Sequence, residues 1–211
     1  MGKNLDSKCK QCRRIGEKLF LKGERCSSPK CAMVKRNYPP GFHGPKGKKR
    51  SSDYGLQLNE KQKTRKMYGL SEDQFKLTFD KVQNKGGDIG NNFLKALEMR
   101  LDNVIYRSGI GSSRTQARQI VNHGHITVND RKVNIPSYQV KIGQVIKVKK
   151  SCQKNKYFRD LPEKLKNLSP EQKSWLAVDA KELSLKVLHE PKQQDIPSNI
   201  KTHMIIEFYS K

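Results

Sequence analysis

Acidic residues are scarce in this 211-residue chain: 20 Asp and Glu stand against 44 Lys and Arg, for a formal net charge of +24. Apolar residues make up only 34% and aromatic residues 7%, with a single Trp. No apolar run approaches the roughly 20 residues that span a bilayer, and Met1-Gly2-Lys3-Asn4-Leu5-Asp6 lacks the apolar stretch of a signal peptide. The expectation is a protein that works inside a cell, away from membranes. A Gly-rich phosphate loop is missing, as is any nucleophile-and-base arrangement, which speaks against an enzyme and a small-molecule substrate. So small an apolar share leaves a modest core, spread over one or two domains. A positive surplus this large repels itself in a compact monomer, and a phosphate backbone is its commonest neutraliser, so nucleic acid is the leading partner.

The charge falls from front to back. Residues 1–50 hold 15 basic and three acidic residues, residues 51–150 hold 18 and nine, and residues 151–211 hold 11 and eight. A cationic arm on a more ordinary body fits that gradient. Within the arm, Tyr38 to Arg50 is rich in Pro and Gly and has no helical or strand period. Tyr38, Phe42 and His43 interleave rings with cations there, which suits base stacking beside phosphate contacts. The candidate RNA contacts at the front are Arg13, Arg14, Lys22, Lys35, Arg36, Tyr38, His43, Lys46, Lys48, Lys49 and Arg50. Tyr54, Lys61, Lys63 and Arg65 follow in the next helix.

Cys9-x2-Cys12 and Cys26-x4-Cys31, 13 residues apart, have the spacing by which four thiolates close a tetrahedral metal site. The surrounding Lys8, Lys10, Arg13, Arg14, Arg25 and Lys30 are expected to lower the thiol pKa values. One structural zinc is the leading reading and an iron–sulfur cluster the alternative, since four thiolates serve both. Disulfides are disfavoured in a reducing compartment, and Cys152 reads as an ordinary thiol.

Helix formers from Asn59 to Tyr68 end at Gly69, and Ser71 with Gln74 offers a capping box for a second helix carrying Phe75, Phe79 and Val82. A third helix is expected over about 92–107, with Leu94, Leu97, Leu101, Val104 and Ile105 at three- and four-residue steps. Ser113 to Gln116 opens a helix that buries Ala117, Ile120 and Val121, and Gly124 stops it. Ile126–Val128, a turn at Asn129-Asp130, a return through Ile135 and a strand over 145–149 give a small antiparallel sheet. Arg107, Ser113, Arg114, Arg118, Gln119, His123, His125, Arg131 and Lys132 gather around this module as a positive edge suited to RNA backbone. Further on, Ser169-Pro170 reads as a helix opening, and 175–178, 183–188 and 203–209 read as short strands, with Trp175 a core anchor.

Arg100-Leu101-Asp102-Asn103-Val104-Ile105-Tyr106-Arg107-Ser108-Gly109 and Ser113 to Ile126 resemble the S-four RNA-binding module. Tyr38-Pro39-Pro40-Gly41, Ser52 to Leu58 and Ile205 to Ser210 extend the resemblance to the S-four family of small-subunit ribosomal proteins over essentially the whole chain. Phe42 departs from that pattern where glutamine is usual, Met99 where arginine is common, and Ile110-Gly111 where an aromatic residue and alanine are usual. The four-Cys knot occurs in some family members and is lost in others. Pseudouridine synthases and tyrosyl-tRNA synthetases carry a similar module beside a catalytic domain, for which the roughly 90 residues before this module and 60 after it leave no room.

The resemblance implies a non-enzymatic constituent of the small ribosomal subunit in the cytoplasm. It implies early binding to the 16S rRNA 5′ domain, which nucleates assembly. It also implies contact with ribosomal protein S-five and other small-subunit proteins, a bearing on translational accuracy, and a place near mRNA at the entry channel. A free regulatory RNA-binding protein, an mRNA repressor or antitermination factor, is the alternative. The expected fold is α+β in three parts: a basic arm with the metal knot at 1–50, a helical domain at 51–92 plus 151–211 ending in a small β region, and an inserted module of two helices on an antiparallel sheet at 93–150.

Overall fold

The computed structural model describes residues 6–47, 50–166 and 174–210. Lys48, Lys49 and the helix opening at Ser169-Pro170 lie outside the described residues. The chain divides into two compact units, residues 1–93 with 199–211 and residues 94–198.

The first unit is helical. Three short helices, α1 (Lys8–Ile15), α2 (Glu24–Ser27) and α3 (Ala32–Lys35), carry the arm. They lead to α4 (Asp53–Tyr68) and α5 (Glu72–Gln83). α4 starts at Asp53 rather than at the expected Asn59, because Ser52 caps it, while Gly69 and Ser71 mark helix ends as expected. Ser52 Oγ accepts from the Gly55 N–H and Ser71 Oγ from the Gln74 N–H, while Gly69 takes the left-handed conformation at φ 66° that closes α4. Phe75 and Phe79 on α5 meet Phe93 edge-on at 5.0 and 5.6 Å, and Phe79 stacks on Tyr209 at 4.7 Å.

Residues 203–209 are not a strand. They form a helix, Thr202–Tyr209, that packs along α4. The β-branched and aromatic residues Ile205, Ile206, Phe208 and Tyr209 suggest strand by propensity. Ile205, Phe208 and Tyr209 recur at three- and four-residue steps, however, and line one helical face, so burial overrides propensity.

The second unit is mixed. The helix expected over 92–107 is two: α6 (Ile89–Glu98) and α7 (Leu101–Arg107). Arg100 between them is extended, and the backbone turns to pair elsewhere, with Leu101 N–H donating to Tyr138 O at 2.8 Å and Val140 N–H to Met99 O at 2.9 Å. Next come α8 (Arg114–Asn122), β1 (Ile126–Val128), β2 (Arg131–Lys132) and β3 (Val145–Val148). Asn129 and Asp130 both have positive φ, as the tight β1–β2 turn requires. Two further helices, α9 (Lys156–Arg159) and α10 (Leu161–Lys166), precede β4 (Leu176–Asp179) and β5 (Ser184–Val187); Thr202–Tyr209 is therefore α11.

The strands form one antiparallel sheet in the order β2-β1-β3-β5-β4. Ile146 pairs with Val128 on one side and Leu185 on the other. This corrects the expected partition: residues 151–198 belong with 94–150, because the open edge of β3 is completed by β5, and of the segment after 150 only 199–211 packs with the helical unit. A continuous core unites Val104, Ile105, Ala117, Ile120, Val121, Ile146, Phe158, Leu185 and Trp175, the last 1% exposed as its apolar neighbours suggest.

Candidate nucleic-acid interface

In the arm, Cys12, Cys26 and Cys31 are buried and Cys9 is half-buried. The Lys22 N–H donates to Cys26 Sγ at 3.3 Å. Burial pushes the Cys12 thiol up, with a further push from Cys26, Cys9 and Cys31, against a backbone hydrogen bond from Leu19 that lowers it. At Cys12 this runs opposite to the expected lowering, because burial and the neighbouring sulfurs penalise the thiolate. Among the described residues, no group of three or more His, Cys, Asp or Glu side chains is arranged to hold a metal ion. The donor types fit a thiophilic ion, but the sulfurs as placed do not form a ligand set.

Beside Cys9 opens a cleft lined by Lys10, Arg13, Arg25, Lys30, Lys35 and Arg36, with Ser7 and Ala32 and without a carboxylate. Six cations around one concavity repel each other, and an anionic backbone would relieve that repulsion. Lys10, Arg25 and Lys30 were read from sequence only as neighbours of the thiols; folding α1, α2 and α3 together brings them to the same wall as Lys35 and Arg36. A second gathering of like charge lies on α4, where burial first, and then Arg14 and Arg65, hold the Lys66 ammonium below the usual lysine range. Lys66 is a further cation that sequence reasoning missed.

Arg13 also braces the arm: its Nε donates to Tyr38 O at 2.9 Å and its guanidinium lies 4.8 Å over the Tyr38 ring. Lys22, His43, Lys46, Arg50 and Tyr54 are exposed, as an RNA-facing role needs. Two lysines are not. Lys63 is 2% exposed and is ion-paired with Glu17 at 2.9 Å and Glu60 at 3.3 Å, and it donates to Asn199 O. Lys61 is 6% exposed, paired with Glu72 and placed 4.5 Å over the Phe208 ring. Reading these two as RNA contacts is corrected: their charges neutralise acids within the helical unit and tie α4 to the C-terminal segment. Arg65 is half-buried, 3.5 Å from Glu72.

The module arginines stand on a polar network. Glu98 is fully buried and accepts from Arg107 Nε at 2.8 Å and Nη2 at 2.7 Å and from Asn103 Nδ2 at 2.6 Å. The amide oxygen of Asn103 accepts from Arg114 Nε at 2.8 Å, and the Arg114 guanidinium covers the Tyr106 ring at 4.5 Å. Asp102 accepts from buried Arg100 at 3.0 and 3.2 Å and lies 3.7 Å from Arg118. Three guanidiniums thus meet two carboxylates and that of Arg114 meets the Asn103 amide, with Arg107, Arg114 and Arg118 half-buried and held in place. The sequence marked the arginines but not Glu98, whose position is legible only once α6 turns into α7.

Ser113 is buried and its oxygen caps α8 by accepting from Gln116 N–H, so its reading as an RNA contact is corrected to a helix cap. Gln119, His123, Arg131 and Lys132 are exposed. His125 is half-buried, with Nδ1 3.1 Å from Cys152 Sγ and its ring edge-on to Phe158. Burial, then His123, lowers its pKa.

Residues 3–98 match the family model of the ribosomal protein S4/S9 N-terminal domain, and residues 99–146 match that of the S4 domain. The small ribosomal subunit protein uS4 of Syntrophomonas wolfei subsp. wolfei is 47% identical over 211 residues, all of both chains. That of Clostridioides difficile is 48% identical over the whole of both chains, and that of Halothermothrix orenii 50% identical over 96% of each. The acid-free cationic cleft, the buttressed arginines of the module and these end-to-end matches agree: the chain belongs to the uS4 family of small ribosomal subunit proteins.

Proposed function

We propose that this protein is a structural, non-enzymatic constituent of the small ribosomal subunit that binds rRNA. The observation that carries the reading is the cleft of six cations without a carboxylate, on a chain whose relatives are ribosomal proteins along their full length. Lys and Arg replace condensed counterions on the phosphate backbone, and the folded units fix RNA helices that would otherwise repel each other. The specific partner is the 16S rRNA 5′ domain, bound early so that assembly of that domain is nucleated. Ribosomal protein S-five and mRNA near the entry channel are neighbours in the same reading, which carries a contribution to translational accuracy. The test is retention of a 16S 5′-domain transcript against tRNA competitor in elevated salt.

Cys9, Cys12, Cys26 and Cys31 would hold one structural zinc, with an iron–sulfur cluster as the alternative. The paired cysteine spacing, the mutual proximity of Cys12 to Cys9, Cys26 and Cys31, and the N–H donors to the Cys12 and Cys26 sulfurs support it. When bound, the ion supplies folding energy to an arm with few apolar residues. Metal analysis of the purified chain is expected to give one zinc per molecule, and none in the double variant Cys9→Ser, Cys12→Ser; a wild-type chain that carries neither zinc nor iron contradicts the assignment.

A further inference from the structure

This inference rests on the RNA-binding reading and deepens it by naming a ligand group and its site. The loop from Tyr38 to Gly47 carries three rings, and the fold gives them different surroundings. Tyr38, 36% exposed, lies beneath the Arg13 guanidinium and close against Gly44. His43 meets Phe42 edge-on at 5.4 Å. Phe42 itself is 94% exposed, more than any other large apolar side chain among the described residues.

Such exposure on a slack loop would carry little meaning, but this loop is closed by its own bonds. Gly44 N–H donates to Gly41 O at 3.1 Å, Lys46 N–H to His43 O at 3.2 Å and Gly47 N–H to Gly44 O at 3.0 Å. Arg13 Nη2 donates to Pro39 O at 3.3 Å. Gly44 is packed so tightly on the Pro39 carbonyl that a Cβ there has no room. Water is an unfavourable neighbour for an apolar ring, and a braced loop that nonetheless holds the ring outward is preorganised for a flat partner.

The surroundings point to the kind of partner. The cleft at the base of the ring is lined by Arg14, His43, Ser51 and Asn59 together with the Pro-Gly backbone, and no carboxylate lines it. An apolar face beside a guanidinium, a hydroxyl and an amide matches a nucleobase with its phosphate, and does not require the apolar surface of a protein. A base inside a duplex is already stacked on both faces, so the ligand is an unpaired one. We propose that Phe42 is the stacking platform for a single unpaired nucleobase of the bound RNA, with Arg14 neutralising the adjacent phosphate.

The test uses the full chain with Phe42→Ala and Phe42→Trp, titrated with a 16S 5′-domain transcript at several salt concentrations. Loss of the ring is expected to weaken binding about 5- to 150-fold at every salt concentration, the range a stacked base supplies. The slope of affinity against salt stays unchanged, because the ring carries no charge. Phe42→Trp is expected to bind like wild type, with its emission quenched on binding over the constant background of buried Trp175. Wild-type affinity in Phe42→Ala together with unchanged emission in Phe42→Trp overturns the proposal, and is the outcome expected if the ring meets a protein. Failure of the wild-type chain itself to bind the transcript overturns the underlying RNA reading instead, so the two failures are distinguishable.

Discussion

Replacing Glu98 with alanine is expected to destabilise the protein by about 3 kcal/mol and at the same time to weaken RNA binding. Removing one partner of a buried charge pair typically costs about 3–5 kcal/mol, because the other is left uncompensated; the 19% exposure of the Arg107 side chain places this case at the lower end. Asn103 also loses an acceptor at 2.6 Å. For a chain of this size the midpoint of thermal unfolding should fall by roughly 6–12 °C. Binding gives the sharper contrast. The substitution removes a negative charge, so net charge alone would predict tighter binding. Glu98 orients Arg107 directly and Arg114 through Asn103, so the geometry predicts weaker binding at temperatures where the variant is folded. Glu190→Ala is the control, since Glu190 pairs with Lys95 on the surface at 3.1 Å, and exposed pairs contribute about 0–1 kcal/mol. A Glu98→Ala chain as stable as wild type, or one that binds RNA more tightly, would show that the carboxylate does not position these arginines.

The second large effect concerns the cleft of the arm. The combined variant Lys10→Ala, Lys30→Ala, Lys35→Ala, Arg36→Ala removes four of its six cations, all exposed, at small expected cost to folding. If each contacts a phosphate, the slope of log affinity against log salt falls by about 3 and affinity near 0.1 M salt drops about 10³-fold. Equilibrium binding across a salt series reads both numbers. An unchanged slope would mean that the cleft faces solvent in the complex, and would move the phosphate contacts to other cations.

The helices marked by local chemistry were legible in the sequence, and the elements fixed by distant partners were not. Ser71 and Ser113 cap the helices they precede because a side-chain oxygen reaching its own first turn needs only a three-residue span, whereas the cap at Ser52, which starts α4 ahead of Asn59, went unread. The Asn129-Asp130 turn is local in the same sense. By contrast, Met99 and Arg100 interrupt a continuous run of helical apolar spacing only because residues 136–140 arrive to bond their neighbours' backbone. Residues 203–209 satisfy strand propensity and become helix through α4, and 183–188 joins the sheet of the module through a pairing with β3 that no local signal announces.

The same distinction holds for the interface. Basic residue types were visible everywhere, but a lysine's role depends on whether acids fold onto it. Lys61 and Lys63 lie within four residues of Arg65 and meet Glu72, Glu60 and Glu17, whereas Lys66, one residue beyond Arg65, faces Arg14 and Arg65. Glu98 carried no sequence signal, since a carboxylate at the end of a helix is ordinarily solvated; its complete burial beneath Arg107 follows from the break at Arg100.

The measurement that tests the central claim most directly is equilibrium binding of the full chain to a 16S rRNA 5′-domain transcript in a few hundred millimolar salt, with tRNA in excess as competitor. Salt at that level suppresses attraction owed to net charge alone. Binding to the transcript that survives the competitor is the predicted result, because the cleft and the arginine network, each held in fixed geometry within its own unit, recognise a folded RNA shape. Equal displacement by tRNA, with affinity lost as salt rises, would contradict specific rRNA recognition and reduce the positive surface to a non-specific attraction for phosphate.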